Sequence, residues 1–177
     1  MKINTRNLVY SALFLAIGLI LPSVFHVFGM GAGKIFLPMH IPVLLAGFFL
    51  GGKYGLMVGV ILPILSSVVS GGMPPIYPVA ISMSFELAAY GFITGYLYKE
   101  KKVNIYLSLI IAMLAGRVVS GVVQGILLGF FGEGFAFSVY FNSTFVVPMI
   151  GMAIQLLFVP AIVKVCEKTF LKGNIEA

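Results

Sequence analysis

Apolar residues occupy this chain in long blocks, and the polar positions between them gather into short seams marked by glycine, proline and lysine. Such blocks predict helices enclosed by lipid or protein, because a helix beside water shows one polar face. Six are readable, at approximately Asn7–Val27, Pro38–Gly51, Tyr54–Ser70, Tyr77–Tyr98, Asn104–Phe131 and Ser138–Glu167. A membrane span takes roughly 20 apolar residues at ~1.5 Å of rise each, so the second block is short for one. It either begins inside the Gly29–Lys34 connection or sits where the bilayer is thin. The seams, among them Gly51-Gly52, Gly71 to Pro75 and Gly132 to Gly134, are too brief to separate domains, and no internal repeat is visible. Residues 1–177 therefore read as a single domain. The first block follows Lys2 and Arg6 in the manner of a secretory leader, but further apolar blocks succeed it, so it reads as a retained helix.

Composition makes this a membrane protein. Of 177 residues, 60% are hydrophobic and 9% charged, whereas a soluble domain is about a quarter charged. A fold of this size in water leaves too much surface exposed to hide that apolar share. Basic residues then set the orientation. With the N-terminus inside, Lys2, Arg6, Lys53, Lys99, Lys101, Lys102, Lys164, Lys168 and Lys172 fall on the inner side, Lys34 on the outer, and Arg117 within a helix. Lys and Arg favour cytoplasmic loops. The expected fold is an all-α membrane protein, a six-transmembrane-helix bundle with N- and C-termini cytoplasmic. The net charge of +6 is too sparse for a nucleic-acid footprint, and a lone Cys166 excludes an internal disulfide.

Within the apolar blocks a few residues are expensive. A charge at the bilayer centre costs roughly 2.5–3.5 kcal/mol on insertion scales, so such residues face the bundle interior and find a partner or a ligand. Arg117 is placed about fourteen residues below the outer end of its helix, ~21 Å at helical rise, too deep to snorkel outward easily. Ser120, Gly121 and Gln124 share its face at i+3, i+4 and i+7. Glu86 lies ~14 Å deep on its own helix, flanked on one face by Ser82 and Tyr90. Two readings coexist: a structural Glu86–Arg117 ion pair, and a polar ligand site in an outward-opening cavity. A guanidinium presents a fork that matches a carboxylate. Asn142, with Ser143 and Thr144, lies high in the last helix, and His40 sits between Pro38 and Pro42 near an outer helix start. Either is a candidate ligand donor, against capping or helix–helix hydrogen bonding. Lys34 is a solvated charge or part of a lid over the cavity. Gln155 reads as packing.

No phosphate-cradling Gly-x-x-x-x-Gly-Lys-Ser/Thr loop and no nucleophile triad or metal-ligand helix motif is present. His26 and His40 are joined by no Asp or Cys that would complete a metal site. The chain reads as neither an enzyme nor a cofactor carrier. Ala12-x-x-x-Ala16, with Gly18 beyond, lets another helix approach closely; intramolecular packing is the plainer reading.

Six helices in so short a chain, both ends inside, Ala12-x-x-x-Ala16 and a Gly-rich first outer loop together resemble the substrate-binding S components of energy-coupling factor (ECF) vitamin transporters. The stretches Phe36 to Gly47, Gly52-Lys53-Tyr54-Gly55 and Phe85 to Gly91 are similar to members of that family as well. The resemblance implies capture of a vitamin or vitamin precursor from outside the cell. It also implies docking on a transmembrane coupling protein with two ATPase subunits, whose ATP hydrolysis topples the S component and releases the vitamin inside. It places Ala12 and Ala16 on the face that meets the coupling protein. It places the ligand near the outer half, contacted by the last three helices, on which Glu86, Arg117, Gln124 and Asn142 fall, Arg117 lying deeper than that site. Charge and polarity suit pantothenate or a pyridoxine-like compound. The implied location is the plasma membrane of a bacterium, with lipid and a small solute as partners and no nucleic acid. A competing reading is a self-sufficient secondary transporter or channel that uses Glu86 as a proton-coupling acid and Arg117 as its counter-charge; no repeated halves with paired broken helices speak for it.

Overall fold

The computed structural model describes residues 4–26, 32–72, 74–130 and 136–173. Half of the Gly29–Lys34 connection and the whole Gly132 to Gly134 seam lie outside them, as do Lys2 and the side chains of Lys34 and Lys172. The described residues form helices without a strand: α1 (Thr5–His26), α2 (Ala32–Phe36), α3 (His40–Leu50), α4 (Gly52–Val69), α5 (Ile81–Gly95), α6 (Ile105–Phe130), α7 (Phe137–Phe141) and α8 (Met149–Gly173). Wide π-helical turns at Ile76–Ala80 and Tyr96–Glu100 extend α5 at both ends, and another at Asn142–Val146 joins α7 towards α8. Five stretches are long and apolar enough to cross a membrane: Thr5–Phe25, Gly52–Val69, Ile76–Glu100, Ile105–Gly129 and Phe137–Lys168. The predicted second block becomes the shorter apolar helix His40–Leu50.

That short helix is the centre of the bundle. Eight of its eleven residues are buried, and it packs against α1, α4, α5 and α8. Leu44, Leu45 and Phe48 join Tyr90, Leu109, Met113, Val159 and Val163 in one apolar cluster. Val43 and Ala46 join Val58, Leu62 and Leu87 in another. At ~1.5 Å per residue α3 covers only about half of a ~30 Å hydrocarbon layer. A break precedes it: α2, then Leu37 at φ +50°, then the start of α3. An L-residue in the left-handed region is unfavourable by roughly 1–2 kcal/mol. The freed Leu37 carbonyl accepts from the His40 backbone N–H at 3.1 Å and from Gln155 Nε2 at 3.4 Å. Broken backbone is tolerated at membrane depth only when protein satisfies it in this way.

Helices in lipid gain nothing by hiding apolar side chains from each other, so close backbone approach decides their packing. Here α3, α4 and α5 meet through glycine. A Cβ added at Gly91 would lie 2.2 Å from the Gly55 carbonyl oxygen, and one at Gly47 would lie 2.5 Å from that of Gly91. From α3 to α4 the link is the single residue Gly51 at φ +95°, a conformation open to glycine alone.

Basic groups collect at one end of the bundle. Arg6 lies over the Tyr10 ring, Lys53 over Tyr54, Lys101 over Tyr96 and Lys164 over Tyr106. The Lys99 ammonium donates to the Phe49 carbonyl, and the Tyr98 hydroxyl donates to the Glu167 carboxylate at 2.8 Å. Tyrosine rings at this level form the kind of amphipathic belt that marks a membrane interface.

Candidate functional site

The costly polar residues of three helices converge midway along the bundle. Glu86 comes from α5, about ten residues from the start of its span, or ~15 Å at helical rise. Arg117 comes from the middle of α6, and His40 opens α3 just after the break. All three are buried: Glu86 is 3% exposed, Arg117 5% and His40 2%. An Arg117 Nη1 atom lies 2.9 Å from Glu86 Oε1, which joins the predicted pair. Tyr90, one turn after Glu86, donates its hydroxyl to the same Oε1 at 3.0 Å. Ser120 of α6 is buried one turn beyond Arg117. His40 Nε2 stands 3.6 Å from Glu86 Oε1, beyond a formed hydrogen bond, and its ring centroid is 5.5 Å from that of Tyr90.

Small residues make this convergence possible. A Cβ at Gly116 would lie 2.1 Å from the Tyr90 ring, so only glycine there admits Tyr90 between α5 and α6. Gly121 does the same for Tyr140, whose ring would meet an added Cβ at 2.8 Å. The Tyr140 hydroxyl donates to the Arg117 carbonyl oxygen. Tyr140 was not a sequence candidate, since its role runs through a main-chain atom that no side-chain pattern reveals.

The cluster is incomplete in one respect. Arg117 Nε and Nη2, and both ring nitrogens of His40, are buried with no hydrogen-bond partner among the described residues. Native proteins rarely leave such donors unmet, and each costs roughly 1–3 kcal/mol when buried. On Arg117 the two vacant donors share one edge of the guanidinium, the geometry that grips a carboxylate or phosphate with two parallel bonds.

The other candidates fall elsewhere. Gln124 is half-buried two turns beyond Arg117 on α6. Asn142 is exposed and lines a shallow groove of about 440 Å³ with Ser138, Val139, Ser143 and Val147. Lys34 belongs to α2. Ala12 and Ala16 are exposed on α1, while Gly18 meets the Leu62 side chain of α4. Gln155, read as packing, is fully buried and holds the helix break. Among the described residues no three His, Cys, Asp or Glu side chains gather as a metal site would require.

Comparison with known proteins adds one match. A family model described as ECF transporter, substrate-specific component, matches residues 6–165. No curated protein and no solved structure matches the chain.

Proposed function

Since the chain belongs to the substrate-specific components of ECF transporters, we propose that it captures a small vitamin or vitamin precursor carrying an anionic group and holds it on Arg117. The observation that carries this reading is the vacant Nε–Nη2 edge of a fully buried guanidinium whose remaining nitrogen is engaged by Glu86. A carboxylate placed there satisfies both donors, and Glu86 keeps the fork aimed. Pantothenate meets the requirement by charge; a pyridoxine-like vitamer meets it only through its hydroxyls. The ligand enters from the end opposite the basic one, which on the positive-inside rule is the outside, and Gln124 and Asn142 are the further polar candidates on that side. His40 supplies a further donor. Six crossings follow if α2, the break and α3 count together as one, and both termini then lie in the cytoplasm.

Uptake is completed by a transmembrane coupling protein and two ATPase subunits that meet the exposed Ala12–Ala16 stripe. The plain test is a thermal-shift screen of the purified chain with B vitamins and their precursors. A ligand at a hundred times its Kd adds ~2.7 kcal/mol to native-state stability, so one anionic compound is expected to raise the melting temperature. Arg117→Lys keeps the charge but not the fork and is expected to weaken that ligand about 10- to 100-fold. No response from any compound, or full affinity in a folded Arg117→Lys, sinks the assignment.

A further inference from the structure

Glu86 and Arg117 cancel each other's charge, so with an unprotonated His40 the cluster carries no net charge. A carboxylate delivered to the vacant edge of Arg117 adds one negative charge in a region where an unbalanced charge is strongly disfavoured. Something must return the balance. We propose that an anionic solute enters this cluster together with one proton, which is taken up on the His40 ring so that the loaded site stays neutral. This rests on the reading of Arg117 as the anion receiver.

The geometry selects His40 over Glu86 as the proton's seat. Glu86 Oε1 already accepts from Arg117 Nη1 and from the Tyr90 hydroxyl. Protonating it would turn an acceptor of two bonds into a competing donor. His40 has no hydrogen-bond partner at either nitrogen. A proton from bulk water bound to its free ring lone pair makes both nitrogens donors, one 3.6 Å from Glu86 Oε1 and close enough to contract to a charge-assisted bond. No other covalent bond changes. The groups facing His40 bear this out element by element. Helix α5 brings Glu86 and Tyr90, and α6 brings Arg117. The buried side chains of α1 and α4 that carry a hydroxyl among the described residues are Ser11, Ser66, Ser67 and Tyr54, the last accepting from the Asn4 N–H, and α8 contributes the amide of Gln155. None of those is a carboxylate, an amine or a second histidine.

Calorimetry of the full chain in lipid nanodiscs tests this, with pantothenate, nicotinate and biotin as carboxylate probes. Titrations run above the ordinary histidine range, in two buffers of different ionisation enthalpy. For a probe that binds, about one proton is expected to be taken up per carboxylate, and across that same pH window affinity is expected to fall about tenfold per pH unit, levelling off once the loaded histidine loses its proton. In His40→Gln the uptake and the pH dependence are both expected to vanish. Binding without proton uptake overturns the proposal and leaves Arg117 as receiver. Uptake that persists in a folded His40→Gln overturns the assignment to His40. Binding by none of the three overturns the receiver reading and this proposal with it. If His40→Gln does not fold, the wild-type titrations decide alone.

Discussion

Glu86 joins α5 to α6 through one carboxylate oxygen, with His40 of α3 standing 3.6 Å away, so its loss is felt beyond its own helix. Glu86→Gln is nearly isosteric but leaves Arg117 a buried charge without its counter-charge, which costs about 3–5 kcal/mol where a buried pair is broken. Removing both charges, as in Glu86→Gln/Arg117→Gln, is expected to recover much of that loss, because the two effects are not additive. Thermal unfolding of both single variants and the double variant in one detergent checks it; additive losses would mean the charges do not depend on each other. The candidates Glu86 and Arg117 were legible because a charged residue in an apolar block is conspicuous. Their pairing was not, since a helical period says which residues share a face but not which faces meet. His40 illustrates the limit well. Between two prolines it looked like a residue at the outer edge, and only the break at Leu37 carries it down to mid-depth beside Glu86.

At the scale of elements, helix existence followed from the apolar blocks, and each predicted helix is present within a few residues of its expected bounds. Their interruptions did not follow. Pro148 lacks an amide hydrogen and its ring presses on the preceding turn, and the chain just before it widens into the π-turn Asn142–Val146, where the Val147 N–H reaches the Asn142 carbonyl at 3.0 Å. Pro78 sits in a similar widened turn at the start of α5. A proline in the sequence announces a disturbance without saying whether it kinks, widens or passes quietly, as Pro63 does inside α4. The glycines were likewise visible as letters and mute as contacts. Gly55 and Gly91 place backbone against backbone, and neither helix can retreat without opening the α3 contact at Gly47. Gly91→Ala is therefore expected to destabilise the bundle by at least the 1–3 kcal/mol typical of overpacking. Gly71→Ala, whose added Cβ meets nothing within 4 Å, loses only what its φ of +65° demands. Comparing their melting temperatures discriminates, and equal losses would refute the close-packing account.

For the molecule as a whole, α1 stands apart. In its most apolar window only 11% is buried, and Leu8, Val9, Leu13, Ile17, Ile20 and Val24 are exposed beside Ala12 and Ala16. A stripe of small residues on that face leaves room for a partner helix without disturbing the ion cluster, which draws on α3, α5 and α6. Ala12→Leu/Ala16→Leu is expected to leave the melting temperature and ligand affinity within experimental error while abolishing co-purification with the coupling protein. Lost ligand binding in that variant would instead tie α1 to the capture site. The count of crossings was the least legible feature, because a sequence reports how apolar a block is but not whether lipid or protein receives it. Helix α3 is that ambiguity made solid. With eight of its eleven residues buried by its neighbours, its length answers chiefly to them and not to bilayer thickness. A thicker or thinner membrane bears on the five long helices, which adjust by tilting, while the helix that carries His40 is insulated from the mismatch. The depth of the ion cluster is thereby set by the protein, and the same site can serve in membranes of differing lipid composition.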